Sequence, residues 1–376
     1  MAEAWRRILR AMADTISFAR GAPSLDIVDV DGLREAARLA FENDPAGTTA
    51  YGTSVGYLPL REWIAEQHAV AVDQVLVTNG SMQADAFLFQ LLVNAGDAVI
   101  VESPTYDRTL LNLRNRQADI HMVPLETDGI DVDDFERLLR DEGVQPTLAH
   151  VIPNFQNPAG HTLSAPKRAR LLELAREFDF TLLEDDPYIA IRFEGDGLPT
   201  MLSQDDAGQV VYASSFSKTV CPGIRVGYLV GPQAVIKQIQ SIATNTYISP
   251  NMVAQSIVNQ FVRSGRMDSA IATVKDALRE RRDALVAALR RELPEAEFSP
   301  PEGGYFMWVV MPEDVSAAEL ETAAAERGVI FVKGTDFLLE GGENTLRLAY
   351  SGVTPAQIDE GVSRLAEAVR SLGVTA

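Results

Sequence analysis

The chain has 376 residues, of which 46% are hydrophobic and 23% are charged. This composition is typical of a folded globular protein long enough for two domains, and it excludes disordered, collagen-like and small disulfide-stapled chains. Its 33 basic and 53 acidic residues give a net charge of −20, so the molecule repels polyanions and nucleic acid is not an expected partner.

The amino-terminal segment and the cysteine content bear on where the protein resides. Arg6, Arg7 and Arg10 lie among apolar residues at helical spacing, which is not the pattern of a secretory signal. Apolar runs elsewhere are short, whereas a membrane-spanning helix needs roughly 20 apolar residues in a row. Cys221 is the only cysteine, so an intrachain disulfide is excluded. The sequence therefore predicts a cytoplasmic protein that does not span a membrane.

The first predicted element is a helix from Asp31 to Phe41, with Asp31 as its N-cap, which we expect to pack with the carboxy-terminal part of the chain. Residues 74–230 then alternate short apolar runs with amphipathic segments, which predicts an α/β fold with a mostly parallel, seven-stranded sheet between helices. The strand-like runs are Gln74–Thr78, Ala98–Glu102, Ile120–Pro124, Leu148–Ile152, Phe180–Glu184, Val210–Ala213 and Val226–Val230, and the helix-like segments are Ser81–Asn94, Asp131–Asp141 and Pro166–Glu177.

Long helices dominate the chain from Pro232 onward, and this part is predicted to form a smaller α+β unit. Its elements are a helix at Ser269–Leu293, a strand at Tyr305–Val310, a helix at Ala317–Arg327, a strand at Thr345–Tyr350 and a closing helix from Pro355. The expected organisation is an arm with part of the small domain in residues 1–48, a large domain in 49–265 and the carboxy-terminal small domain in 266–376.

A lysine with hydroxyl neighbours follows one of the predicted strands. Lys218 ends the string Ser214-Ser215-Phe216-Ser217-Lys218, and Arg225 comes seven residues later. This arrangement suits an imine between the lysine and an aldehyde cofactor whose phosphate the hydroxyls and the arginine hold. A surface lysine in a serine-rich loop explains the string alone equally well.

Other polar or aromatic residues also follow predicted strands. Asp185 and Tyr188 suit the two sides of a small aromatic ligand, and Asn157 suits a phenolate oxygen. Gly80-Ser81 opens a helix whose free N–H groups suit a phosphate, and Tyr106 suits stacking on a ring. Each has a plainer interpretation as an acidic turn, an Asn-Pro turn, an N-cap or core packing. Together they fall in the crevice where open α/β sheets bind ligands.

These motifs, in this order, resemble the class I and II pyridoxal-phosphate-dependent aminotransferases of fold type I, over roughly residues 17–370. Within this family, the sequence is most similar to the 2-aminoadipate branch, which is shared with the catalytic domain of the MocR regulators. The residues that carry this similarity are Tyr51-Gly52, residues 56–61 and Glu184-Asp185-Asp186. The matching motifs are Tyr51-Gly52, Gly80-Ser81, Pro104-Thr105-Tyr106, Asn157-Pro158-Ala159-Gly160, Asp185-Asp186-Pro187-Tyr188, Ser215-Phe216-Ser217-Lys218, Pro222-Gly223-Ile224-Arg225 and Leu346-Arg347-Leu348.

The resemblance implies a role for each matched residue. Lys218 would hold pyridoxal 5'-phosphate as an aldimine and then move the substrate α-proton, while Asp185 would pair with the ring nitrogen. Asn157 and Tyr188 would bind the ring oxygen, and Tyr106 would stack on the ring. The resemblance places the phosphate against Gly80, Ser81, Met82, Ser215, Ser217 and Arg225.

Two further implied roles concern the substrate and the assembly. Arg347 would bind the substrate α-carboxylate with two hydrogen bonds, next to Asn157. Tyr51 would reach the phosphate of a neighbouring subunit, which implies a homodimer.

The sequence departs from the family pattern at Arg20, which precedes Gly21 where relatives usually carry two small residues before a proline. The loop lies over the substrate side chain in the family, so Arg20 and Gly21 are candidate substrate contacts, and a solvent-facing arginine is the alternative. Cys221 replaces a more usual small apolar residue and is expected to pack in the core. The histidines lack a ligand spacing, so no metal site is expected.

The predicted activity is transfer of the α-amino group of an L-amino acid to a 2-oxo acid through pyridoxamine phosphate. The alternative is an enzyme of the same fold that diverts the quinonoid, such as a cyclase, an eliminase or another tailoring enzyme of a specialised pathway. Both use the same cofactor residues, so the motifs do not separate them. A ligand-sensing regulator would need a DNA-binding domain, which neither the acidic charge nor the amino-terminal segment predicts.

Overall fold

The computed structural model describes residues 15–373, and an eight-stranded sheet forms its larger unit. All strands run in one direction except Gly227–Val230 and the edge strand Gly129–Ile130, each of which pairs antiparallel with its neighbours. The seven predicted strands are confirmed, and the structure adds Gly129–Ile130, whose two residues are too few to produce a sequence pattern. In spatial order the strands are Val75–Thr78, Gly227–Val230, Val210–Ser215, Thr181–Asp185, Pro146–Val151, Ala98–Ser103, Asp119–Glu126 and Gly129–Ile130.

Both faces of this sheet are buried. Val75 and Val77 belong to one apolar cluster and Leu76 to another, since successive strand residues point to opposite faces. No helix within residues 15–373 is long and apolar enough to cross a membrane. The helices of this unit are Leu58–His68, Ser81–Leu92, Asp107–Asn115, Val132–Arg140, Ala165–Phe178, Gln233–Tyr247 and Met252–Arg263, and they include the three predicted for this region.

A carboxy-terminal α+β unit is confirmed, but the helices between Pro232 and Arg263 are not part of it as predicted, because their apolar residues pack in the cores of the larger unit. Its antiparallel sheet has the strand order Glu297–Phe298, Phe306–Val310, Thr345–Ala349 and Val332–Lys333. This sheet shares one apolar core with its helices. The helices are Met267–Glu292, Ala317–Glu326 and Pro355–Ser371.

The amino-terminal segment departs from the prediction in two respects. The early helix spans Val30–Asn43, and its N-cap is Asp29 rather than Asp31, because Asp29 Oδ1 accepts from the Gly32 N–H at 2.8 Å. This helix packs against Met252–Arg263 of the larger unit rather than against the carboxy-terminal unit, as the small buried residues Ala36 and Ala40 allow close approach.

A short strand before this helix joins the carboxy-terminal unit instead. Ile16–Ser17 pairs in parallel with Val329–Ile330, and Phe18 enters that unit's core. A short helix, Pro45–Thr49, follows the early helix. The helical pattern around Arg6 to Met12 lies outside the described residues. The domain borders at residues 49 and 266 remain our proposal.

Candidate active site

A cavity of about 370 Å³ lies at the carboxyl ends of the parallel strands, where the loops after several strands meet. Most of the residues that the sequence singled out line it together. They are Arg20, Gly21, Ser81, Met82, Tyr106, Asn157, Asp185, Tyr188, Ser215, Ser217, Lys218 and Arg225.

Three predicted site residues do not line this cavity. Gly80 lies behind its wall, where a Cβ atom would collide with the Arg225 guanidinium. Arg347 lies behind Asn157 and donates to its Oδ1 at 2.9 Å. Tyr51 is 87% exposed and is not among the residues that line the cavity of its own chain.

Lys218 follows the strand Val210–Ser215, and its amine is enclosed by the cavity. Nζ donates to the Gly21 carbonyl at 2.8 Å and lies 5.5 Å and 5.1 Å from the ring centres of Tyr188 and Tyr305. Burial, together with the positive charges of Arg225 and Arg347, lowers the pKa of Lys218 to about 8. The amine is therefore neutral, and nucleophilic, at a lower pH than an exposed lysine.

Asp185 is the last residue of the strand Thr181–Asp185, and its carboxylate is 4% exposed. Its Oδ1 has no hydrogen-bond partner in the described part of the chain, and its Oδ2 lies 3.5 Å from Nε2 of His150. A buried carboxylate oxygen without a partner, beside a cavity, fits a cationic ring nitrogen. The arrangement therefore fits the ring end of pyridoxal 5'-phosphate.

The opposite end of the cavity suits an anion. The helix Ser81–Leu92 begins at its wall, and Gly80 before it has φ of +84° and no side-chain cap. The first N–H groups of the helix are thus available to an anion. Ser215 Oγ donates to Ser217 Oγ at 2.9 Å, and Arg225 Nη1 donates to the same atom at 3.2 Å. This cradle fits the cofactor phosphate.

Tyr188 and Asn157 lie between these two ends. Tyr188 is 5% exposed, and its ring packs edge-on against Tyr305 and Phe306. Burial raises the pKa of Tyr188 above its ordinary value, so its hydroxyl keeps the proton and remains a donor. Asn157 uses its oxygen to accept from Arg347, so its amide N–H₂ is the group left to donate to a ligand.

Arg347 lies in an aromatic slot that the sequence did not reveal. Its guanidinium lies 4.4 Å and 4.8 Å from the ring centres of Phe306 and Phe337. Nη2 donates to the Ala19 carbonyl at 2.7 Å, and the buried Nε has no hydrogen-bond partner among the residues that the structure describes. The two rings hold the planar fork in one orientation, which suits two-point binding of a carboxylate.

Several other residues of the site were missed. Tyr305 donates from its hydroxyl to the Lys218 carbonyl at 3.3 Å, and His150 is fully buried beside Asp185. The signal for Tyr305 was the Gly303-Gly304 pair before an aromatic strand, and the signal for His150 was a lone imidazole in an apolar strand. The further lining residues are Ala22, Ile152, Pro187 and Pro222.

Arg20 lies at the mouth of the cavity and also lines an adjacent, largely apolar cavity of about 610 Å³. Within residues 15–373 its exposed guanidinium makes neither a hydrogen bond nor an ion pair. It is therefore available to an anionic group. Cys221 lines the second cavity and is only half-buried, which corrects its expected core position, because the Pro222–Ile224 turn holds it at the cavity wall.

Comparison with known proteins also indicates the aminotransferase family that the sequence motifs resemble. A model of the family "Aminotransferase class I and II" matches residues 13–365. The 2-aminoadipate transaminase of Thermus thermophilus is 34% identical, over 95% of this chain and 90% of its own length. The aromatic-amino-acid aminotransferase 1 of Thermococcus litoralis is 32% identical, over 95% and 88%. The crystal structure of Pyrococcus horikoshii kynurenine aminotransferase in complex with PMP superposes with a TM-score of 0.92 at 31% identity, covering 99% of this chain and 95% of that one.

Proposed function

Because the chain belongs to the class I and II aminotransferase family and is a pyridoxal-phosphate-dependent aminotransferase, we propose that the cavity around Lys218 is where it moves the α-amino group of an L-amino acid to a 2-oxo acid. One observation supports this most strongly. The enclosed amine of Lys218 lies in the same cavity as Asp185, whose Oδ1 makes no hydrogen bond among residues 15–373, and the uncapped helix that begins at Ser81.

Each part of the cofactor has a matching group in the cavity. The phosphate would bind the N–H groups of Ser81 and Met82, the hydroxyls of Ser215 and Ser217, and Arg225. Asp185 would hold the proton of the ring nitrogen, the Asn157 amide and the Tyr188 hydroxyl would bind the ring oxygen, and Tyr106 would stack on the ring.

Different side chains of the cavity carry out proton transfer and substrate binding. The bound cofactor supplies an electron sink for the pair of electrons that remains when the substrate α-proton leaves. Lys218 Nζ accepts that proton and returns it, and a pKa of about 8 suits both directions near neutral pH. Arg347 orients the substrate by binding the substrate α-carboxylate. This carboxylate takes the place of the Ala19 carbonyl and the Asn157 oxygen as hydrogen-bond acceptors for the guanidinium.

The lowered pKa of Lys218 predicts how cofactor attachment depends on pH. Only the neutral amine attacks the cofactor aldehyde, so the attachment rate to cofactor-free protein should rise about tenfold per pH unit below pH 8 and level off above it. Stopped-flow absorbance measures this rate, with N-acetyl-lysine as the matched free amine. A rise that continues to about pH 10, as for an ordinary lysine, would contradict the enclosed position of Nζ.

We further propose that the amino donor carries a second carboxylate at the end of its side chain. Arg20 supports this, since its exposed guanidinium lines the cavity and has no partner within residues 15–373, in a chain that is strongly acidic. The name of the Thermus thermophilus relative, a 2-aminoadipate transaminase, agrees with such a donor.

Substitution of Arg20 tests this specificity. Arg20→Ala should lower kcat/KM for 2-aminoadipate and glutamate by about 10- to 100-fold, because the charged side-chain end loses its partner. The value for leucine should change by less than about threefold. Arg108→Ala is the matched control, since Arg108 is exposed and forms an ion pair with Asp107. An equal loss for acidic and neutral donors would reject the proposal.

A cytoplasmic homodimer is the proposed state of the enzyme. Tyr51 supports it, because a side chain 87% exposed is placed to reach a second subunit, and Leu25 and Ile248 are exposed as well, at 82% and 64%. The mass from light scattering at assay concentration tests the dimer.

The reaction itself is tested by one half-reaction. Holoenzyme mixed with an amino acid should convert its cofactor to the pyridoxamine form and release one 2-oxo acid per site. Release of ammonia, or a product with an altered carbon skeleton, would instead favour the diverted chemistry.

A further inference from the structure

A cluster of buried polar side chains beside Asp185 has no part in the mechanism above. Asp85 on the helix Ser81–Leu92 is 4% exposed, and His150 on the strand Pro146–Val151 is fully buried. Among residues 15–373, Oδ1 of Asp85, Oδ1 of Asp185 and both ring nitrogens of His150 make no hydrogen bond, although Nε2 of His150 lies 3.5 Å from Oδ2 of Asp185. Buried polar groups are almost always paired, so unpaired atoms that meet in one interior mark a place where protons or ordered water link them.

The three side chains lie on one face of the sheet. His150 is opposite Leu183 in the parallel register, and Asp185 is two residues further along that strand, so both side chains point to the same face. Phe89, one helical turn after Asp85, packs edge-on against the His150 ring at 6.3 Å. The helix face that carries Asp85 and Phe89 therefore covers His150 and Asp185.

This interior contains more carboxyl groups than it can keep ionised. Burial, and then the negative charge of Asp185, raise the pKa of Asp85 well above its ordinary value. Burial also raises the pKa of Glu102 to about 8, although Gln156 and the Ile152 N–H donate to its carboxylate. Asp85 Oδ1 has no such donor, so Asp85 is the better place for a proton.

His150 and Tyr106 also face this interior, and Nε2 of His150 lies 3.5 Å from Oδ2 of Asp185. Tyr106 interacts electrostatically with both Asp85 and Asp185. Burial raises the pKa of Tyr106 to about 12, so its hydroxyl stays neutral. Lys218 interacts with Asp185 from the cavity side. Among residues 15–373, neither a lysine nor an arginine lies beside Asp85 to offset a second negative charge.

We propose that Asp85 is a positioning residue that acts as a neutral acid beside Asp185, and so confines the negative charge of the pair to Asp185, where the ring nitrogen of the cofactor binds. The inference rests on the proposed function, and it assigns a role to a side chain that touches neither cofactor nor substrate.

The test compares the wild-type holoenzyme with Asp85→Asn and Asp85→Ser, and with Asp107→Asn as control. Asp107 also lies near Tyr106, but its side chain is 29% exposed and pairs with Arg108. The readouts are the thermal midpoint and the cofactor absorbance, each followed against pH. Asp85→Ser serves if the asparagine variant does not fold.

The expected stability difference follows from proton linkage. The pKa of a buried carboxyl such as Asp85 is higher in the folded protein than in the unfolded chain, where an aspartate has a pKa of about 4. The free energy of unfolding therefore falls as the pH rises above about 4. Asp85→Asn removes that loss, so its midpoint should exceed that of the wild type by a margin that grows with pH, to at least about 3 °C by pH 8. The control should follow the wild type.

The absorbance titration tests the link to the cofactor. The wild type should have one pH-dependent step that both Asp85 variants lack, while Asp85→Asn keeps the wild-type spectrum at neutral pH. A stability margin that does not change with pH, or a neutral spectrum altered in Asp85→Asn, would overturn the proposal, because Asp85 would then be ionised or uncoupled. Failure of the wild type to release a 2-oxo acid would reject the proposed function instead, and neither titration depends on turnover.

Discussion

Replacement of Lys218 by alanine is expected to lower kcat for transamination by about 10⁴-fold, because the group that moves the α-proton is removed. The phosphate cradle at Ser81, Ser217 and Arg225 does not involve the lysine side chain, so the variant should still bind pyridoxal 5'-phosphate, without a covalent bond. Steady-state kinetics give kcat, and the absorbance that remains after dialysis gives the amount of bound cofactor.

Lys237→Ala is the control for this variant, since Lys237 is an exposed lysine on the helix Gln233–Tyr247. It should keep wild-type activity. Activity of Lys218→Ala within tenfold of the wild type, with cofactor bound, would mean that another base moves the proton.

Substitution of Asp185 is expected to produce the second largest effect. Asp185→Asn keeps the volume of the side chain but removes the charge that faces the ring nitrogen, so kcat should fall by about 10²- to 10³-fold. The covalent bond to Lys218 and the phosphate contacts should persist, because they lie elsewhere in the cavity. Kinetics together with the cofactor content of the purified variant separate these two results.

Asp185→Glu should recover part of the lost activity, since it restores the charge at a displaced position. Asp206→Asn, an exposed carboxylate paired with Arg176, is the control and should leave kcat unchanged. Equal kcat values for Asp185→Asn and the wild type would contradict the role of Asp185 at the ring nitrogen.

The strand ends explain why so much of the site was predictable. Apolar runs such as Ala98–Ser103 and Thr181–Asp185 are fixed by burial on both faces of a parallel sheet, so composition alone identifies them. The carboxyl ends of such strands meet at one edge, and the polar residues that follow them therefore meet too. Lys218, Asp185 and Asn157 come together for that reason.

What the sequence could not give depends on contacts between distant segments. The choice of Asp29 over Asp31 as N-cap depends on where the backbone turns, and both residues have the same chemistry. Phe306 and Phe337 look like ordinary core residues until the fold places Arg347 between their rings. The role of a side chain in such a slot is a property of the tertiary structure.

The charge of the cavity is opposite to that of the molecule. Arg20, Arg225 and Lys218 line the cavity, and Arg347 lies next to it against Asn157, in a chain with a net charge of −20. Their mutual repulsion contributes to the lowered pKa of Lys218, and it is relieved when an anionic cofactor and substrate bind. The same cations thus prepare the lysine for attack and attract its ligands.

Borohydride reduction of the holoenzyme, followed by mass mapping of its peptides, tests the central claim most directly. Reduction fixes the cofactor to the amine that holds it. The account predicts one labelled peptide, containing Lys218, and loss of the label when the protein is first converted with an amino donor. A label on any other lysine, or none at all, would contradict the assignment of the active site to this cavity.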